Sequence, residues 1–352
     1  TKVNCFLLKG VIVMENDKRI YKWDNVKLFL IFLVIFGHIL DREASPSRLM
    51  ETINFWIYSF HMPAFIFVSG LFSKHAIKQR KYLRLLSFVW LYLLAKLLIT
   101  LANFAFANKM NFDLLNETGV PWYLLSLASF YLITIFLQRV QPKIMLPIII
   151  VIGCASGYLP VEGFLSLGRT LGFFPFFYCG YLMDIQKLQT FLDHRKVKWA
   201  AIGVILSSFL FVNSQWSLAT KFWGFLTGWA SYAEISPAFE YSSFIQLFFY
   251  VAAALVSLSW FALLPKRKLP LSALGKDTLY PYLLHMPLII LLESGLQLDT
   301  LFKEWFTFRI LALFFLALFI LAITNMPVVK RGADYLFNPI AYVLPKQWLK
   351  VK

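Results

Sequence analysis

Three histidines stand inside long apolar runs, where an ionisable side chain is costly and usually faces a cavity or a pathway. They are His38, His61 and His285. Histidine is the side chain whose ordinary pKa suits proton transfer near neutral pH. It can take a proton from a hydroxyl, or itself carry an acyl group. Residue types alone leave both chemistries open. No G-x-S-x-G signature is present, and "FVSGLF" around Ser69 has a single glycine, so a serine hydrolase is disfavoured. Three histidines can hold zinc, but nothing else in the sequence supports a metal, and none is expected. The other two histidines, His75 and His194, fall in polar loops and read as solvated.

The elements that must position these histidines follow from composition. Of 352 residues, 59% are hydrophobic and only 15% charged, whereas a soluble domain is about half apolar and about a quarter charged. The apolar runs are long and continuous rather than short and alternating, which favours helices over a membrane β-barrel. The expected fold is therefore an all-α integral membrane bundle of about ten transmembrane helices. The runs lie near 24–41, 53–73, 85–107, 121–138, 144–160, 166–184, 197–213, 243–264, 273–293 and 306–326. Basic loops such as "SKHAIKQRKYLR" and "DHRKVK" alternate with weakly charged ones. About 25 of the 34 Lys and Arg fall on one side and about 7 on the other, which by the positive-inside rule puts both termini in the cytoplasm. The domain reading is a cytoplasmic segment over 1–22, with 1–13 as an upstream extension, a transmembrane domain over 23–329 and a cytoplasmic tail over 330–352.

The net charge of +16 is spent on topology and anionic membrane lipid. No nucleic-acid signature accompanies it, and no nucleic-acid partner is expected. Cys5, Cys154 and Cys179 have no metal-ligand spacing and read as packing residues. The long segment 214–242 is rich in aromatics, "WSLATKFWGFLTGWASYAEISP". It reads as interfacial packing, or as a lid or platform for an acceptor sugar.

With a rise of about 1.5 Å per residue, His38 lies about 21 Å and His285 about 18 Å from the cytoplasmic ends of their runs. His61 lies about 10 Å from the opposite face, or about 20 Å from the cytoplasmic one in a core about 30 Å thick. The three therefore share one level. At the other end of the His38 run, Asp24 and Lys27 are one helical turn apart. Lys74, Lys78, Arg80, Lys81, Arg84 and Arg331 add a basic shelf. Such a shelf suits a phosphate-bearing donor, and arginine's planar fork suits phosphate best.

"WDNVKLFLIFLVIFGH", "FHMPAFIFVSGLFSK", "KYLRLL", "PWYLLSL", "FFPFFYCGYLM" and "LGKDTLYPYLLHMPLI" run in this order from Trp23 to Ile289. The ordered set resembles the acyltransferase type 3 family of membrane acyltransferases, closest to its fucose 4-O-acetylase-like branch. The resemblance implies a ten-helix bundle that acylates sugar hydroxyls with acetyl from cytoplasmic acetyl-CoA. It makes His38 the essential histidine and Asp24 the catalytic motif's acid, at the start of the same helix. It matches Lys27, Arg80 and Arg84 to the family's basic residues, with Arg84 the better match for its arginine, and with Lys81 and Arg331 of the basic shelf these are the residues expected to hold the donor. His61, His285, Trp122 and Tyr123 fall to the substrate. Many members carry an esterase-like domain as well, and the expectation here is the membrane-only type.

The expected function is an integral-membrane O-acetyltransferase in the bacterial plasma membrane. Acetyl-CoA is then a co-substrate, not a resident cofactor, and the other partners are a surface glycan or lipid-linked sugar and membrane lipid. The rival is a transporter or flippase for a lipid-linked sugar. Pro63, Pro175 and Pro281 interrupt runs as a transporter's broken helices would, but no internal repeat accompanies them. A third reading, a non-catalytic scaffold for polysaccharide assembly, leaves the histidines and the basic shelf unexplained.

Overall fold

The computed structural model describes residues 20–43, 46–79, 82–110, 112–117, 119–161, 163–295 and 308–337. Within them every regular element is helical, apart from an isolated antiparallel bridge between Asn116 and Phe164. The main helices are α1 (Tyr21–Asp41), α2 (Arg48–Tyr58), α3 (His61–Lys78), α4 (Leu83–Ala107), α5 (Trp122–Leu137), α6 (Pro142–Ala155) and α7 (Leu167–Leu182). They continue as α8 (Ile185–Asp193), α9 (Arg195–Ser214), α10 (Ser242–Leu263), α11 (Leu279–Ile290), α12 (Arg309–Thr324) and α13 (Pro327–Phe337).

Each of the ten apolar runs coincides with helix, but the helices are not equally long. Among the described residues, five are long and apolar enough to cross a bilayer alone: Tyr21–Asp41, Arg48–Lys78, Arg84–Ala107, Arg195–Ser214 and Phe239–Leu263. A sixth arises if α12 and α13, bent by 66° at their junction, act as one. The remaining runs form shorter helices. A helix such as α5 or α7, with 16 residues, reaches about 24 Å, short of a core about 30 Å thick. The run expected at 53–73 is broken at Ser59–Phe60, so that His61 opens a new helix. The run at 273–293 begins with a 3-10 turn, becomes helical only after Asp277 and ends in a π turn at Leu291–Gly295.

α1 is the axis of the bundle. Of its apolar window 78% is buried, against 11% for α9. It packs against α2, α3, α11 and α12. The perimeter presents apolar stripes outward. On α10, Phe244, Phe248, Val251 and Leu255 are exposed at helical spacing, a face that suits lipid rather than water. α3 and α7 cross at contact distance because each carries glycine at the crossing. A Cβ on Gly70 would overlap the carbonyl of Phe177, and one on Gly180 would overlap the carbonyl of Phe67.

The start of α1 is locked by polar contacts. Lys22 is fully buried and pairs with Asp193 at 3.3 Å. The Asn25 amide donates to the carbonyls of Pro265 (2.8 Å) and Arg267 (3.1 Å), and its Oδ1 accepts from Ser272 Oγ at 2.5 Å. Gly275 lies on the Asp24 backbone so closely that a Cβ there would overlap the Asp24 carbonyl. The glycine of "LGKDT" is thus the residue that lets this loop seat against α1.

Candidate active site

His38 is half-buried near the C-terminal end of α1, and Asp41 lies on the same face one turn further on. α2 descends beside it and supplies Asn54 and Tyr58, again one turn apart. Tyr58 Oη lies 3.2 Å from His38 Nδ1 and donates to Asp41 Oδ2 at 3.1 Å. Asn54 Nδ2 donates to the other carboxylate oxygen at 3.3 Å. A carboxylate can only accept, so the single Tyr58 proton points to Asp41, and the Tyr58 oxygen accepts from His38 Nδ1–H. The other ring nitrogen, Nε2, then carries the lone pair. The chain Asp41–Tyr58–His38 fixes the tautomer that a base requires.

The other two histidines are close by. The His285 ring stacks on His38 with centroids 5.5 Å apart and planes at 25°. His285 Nδ1–H donates to the Pro281 carbonyl at 2.9 Å. Its Nε2 is buried and has no partner among the described residues. His61 Nδ1–H donates to the Ile57 carbonyl at 2.8 Å, and its ring meets Tyr58 edge-on at 4.9 Å. Tyr58 therefore stands between His38 and His61. Tyr282 links the cluster to Tyr123, with centroids 6.0 Å from His285 and 5.3 Å from Tyr123. Tyr123 is hydrogen-bonded to Ser69 at 2.6 Å. Trp122 faces Arg169, whose guanidinium carbon lies 5.1 Å above its ring.

Other expected site residues lie elsewhere. Asp24 and Lys27 form a buried ion pair at 3.0 Å, about 21 Å along α1 from His38. Lys27 also sits over the Phe72 ring at 5.6 Å. The carboxylate at the histidine is Asp41, not Asp24. Arg84 is buried at the start of α4, within electrostatic reach of Tyr131. Arg331 is exposed on α13, beside a Lys330 that pairs with Asp277 at 3.3 Å. Arg80 and Lys81 lie outside the described residues.

Sequence reasoning missed Asp41, Tyr58 and Arg169. A signal existed for Asp41 and Arg169. "HILD" puts an acid one turn after the histidine. Arg169 is an arginine just inside an apolar run, and such charges face cavities or partners. It is buried, its Nε donates to the Thr227 carbonyl at 3.1 Å and its Nη1 to the Gly119 carbonyl at 3.4 Å. Its charge acts on Tyr58 and Tyr282.

An open cavity of about 260 Å³ adjoins this cluster. Asp41, Glu43, Glu51, Asn54, Trp216 and Trp223 are among the residues lining it. Segment 215–241 folds into short helical turns over the end of α2, and Trp223 packs on Tyr58 at 4.8 Å and on Phe55 at 6.0 Å. Among the described residues, no group of three or more His, Cys, Asp or Glu side chains converges as metal ligands would.

No curated protein and no solved structure matches the chain. The profile of the acyltransferase type 3 family, described as an acyltransferase domain, matches residues 20–325. That match takes in every helix from α1 to α12, with His38, Asp41, Tyr58 and His285 inside it. The transporter alternative gains nothing from it. The chain is a membrane acyltransferase and belongs to the acyltransferase type 3 family.

Proposed function

We propose that the protein is an O-acetyltransferase of the bacterial plasma membrane, of the fucose 4-O-acetylase-like branch. It moves acetyl from cytoplasmic acetyl-CoA to a hydroxyl of a surface polysaccharide or lipid-linked sugar. In this reading the chain crosses the membrane ten times with both termini in the cytoplasm, the shorter helices crossing where the bundle is thin. Residues 1–22 and 330–352 flank the transmembrane domain on the cytoplasmic side. Lys27, Arg80, Lys81, Arg84 and Arg331 attract the donor's phosphates, and Asp24 holds Lys27 in place. His61, His285, Trp122 and Tyr123 shape the acceptor side.

The observation that carries the reading is the Asp41–Tyr58–His38 hydrogen-bonded chain beside an open cavity. His38 Nε2 makes no hydrogen bond to a described residue and is the base. The acceptor hydroxyl oxygen attacks the thioester carbon. A C–O bond forms, the C–S bond breaks, and the hydroxyl proton passes to Nε2 and then to the departing thiolate. Tyr58 and Asp41 stabilise the imidazolium formed in between. Membranes carrying wild-type protein should transfer label from radiolabelled acetyl-CoA to glycan, and membranes carrying His38→Ala should not. Equal labelling by the two would overturn the proposal.

A further inference from the structure

The cavity next to Asp41 has a chemical character of its own. Three carboxylates line it, from Asp41, Glu43 and Glu51, and among the described residues no basic side chain does. Their states differ. Asp41 accepts from Tyr58 and Asn54. Glu43 is ion-paired with Arg309. Glu51 is half-buried and makes no ion pair or hydrogen bond to a described residue. Asn54 lines the same cavity. It is more than nine-tenths buried, and its Oδ1 has no partner among the described residues. Two indole rings, Trp216 and Trp223, complete the wall. The volume is on the order of twenty times what a single water needs.

An unpaired carboxylate beside flat aromatic faces is the complement of a sugar ring. Its hydroxyls donate to carboxylate oxygens, and its C–H face lies on indole. The cavity is also coupled to the base: Asp41 belongs both to the cavity wall and to the hydrogen-bonded chain that runs through Tyr58 to His38 Nδ1. The charge adds selection. A carboxylate or phosphate on the acceptor would meet Glu51 and Asp41; among the described residues no cation lines the wall, and Arg42, the cation acting on Asp41, is itself paired with Glu293, so like charges would be brought together.

We infer that this cavity is the acceptor subsite, that it takes a sugar ring against Trp223, and that it selects uncharged or amine-bearing sugars over acidic ones. The inference rests on the acyl-transfer reading above and adds the class of acceptor to it.

The test uses the full chain purified in detergent and three probes: the p-nitrophenyl glycosides of glucose, glucosamine and glucuronic acid. Binding is read by calorimetry, and transfer by label from acetyl-CoA. The glucoside and glucosaminide should bind, and the glucuronide should bind at least about tenfold more weakly. Glu51→Gln should narrow that gap, and it touches no packing contact of the core. Trp223→Ala should weaken glucoside binding about tenfold or more, while His38→Ala should leave it intact. The inference is overturned if no glycoside binds, if the glucuronide binds as well as the glucoside, or if neither Trp223→Ala nor Glu51→Gln changes binding. Binding as expected with no label on any probe leaves the cavity standing and removes the acetyltransferase reading. Label reaching the glucoside with unchanged KM in Trp223→Ala does the reverse.

Discussion

The two ends of α1 hold the same kinds of residue and treat them in opposite ways. At the N-terminal end the buried charged and amide groups of Lys22, Asp24, Asn25 and Lys27 are answered by other protein groups, and the Trp23 indole N–H is the exception, without a partner among the described residues. At the C-terminal end they are not fully answered. His285 Nε2 and Asn54 Oδ1 are buried without a partner among the described residues, and Asn54 lines an open cavity. A buried polar group left unpaired costs about 1–3 kcal/mol. Such a cost persists only where something else depends on the group. The polar residues at the first end therefore hold the fold, and those at the second are held by it.

The sharpest way to break this comparison is to remove one residue from each end. His38→Ala should lower acetyl transfer by about 10²- to 10⁴-fold. Its thermal midpoint in detergent should stay close to wild type, because the ring is only half-buried. Asn25→Ala should do the opposite. It strands the carbonyls of Pro265 and Arg267 and the Ser272 hydroxyl, at about 1–3 kcal/mol for each group that stays buried. Its yield and thermal midpoint should fall, while activity per folded molecule, measured after size-exclusion chromatography, stays near wild type. A stable Asn25→Ala protein with lost activity would invert the assignment of the two ends.

Much of this was legible in the sequence. Continuous apolar runs dictated helices, and the depth arithmetic for His38 and His285 anticipated two rings that do stack. The same arithmetic places Asp24, at the start of the His38 run, about 21 Å from that histidine along a straight helix. Asp41 looked like the first residue of a loop. It joins the site only because α2 folds back and sets Tyr58 against it, and that contact depends on the break at Ser59–Phe60, which an apolar pattern does not reveal. Arg169 was passed over because its partners are backbone carbonyls of Gly119 and Thr227, which leave no mark on residue types. Helix length escaped for a related reason. The run 166–184 includes Met183, beyond the end of α7, and the run 273–293 includes Asp277, before α11 begins.

Tyr58→Phe probes the C-terminal end more finely. It keeps the ring against Trp223 and His61 and deletes only the hydroxyl that joins Asp41 to His38. A hydrogen bond to a charged group is worth about 1.5–3 kcal/mol, so kcat should fall about 10- to 100-fold. KM for the acceptor should change little. A loss in KM alone would make Tyr58 a wall of the cavity rather than a member of the relay.

The smallest effect is expected at Asp193, which faces the N-terminal end from the end of α8. Burial pushes its carboxyl up, but Lys266 and Lys22 outweigh that and hold it below the usual carboxylate range. A carboxyl whose folded pKa is lowered adds stability above its ordinary pKa and loses it as pH falls through the lowered value. The wild-type thermal midpoint should therefore be steady through neutral and mildly acidic pH and drop below about pH 4. In Asp193→Asn that drop should be smaller, and the difference between the two proteins should shrink in high salt, because Lys266 is half-exposed. Acetyl transfer per folded molecule should be the same in both. A change in transfer rate at constant stability would mean that the lock at one end of α1 reaches the site at the other, and that the helix couples the ends it here keeps apart.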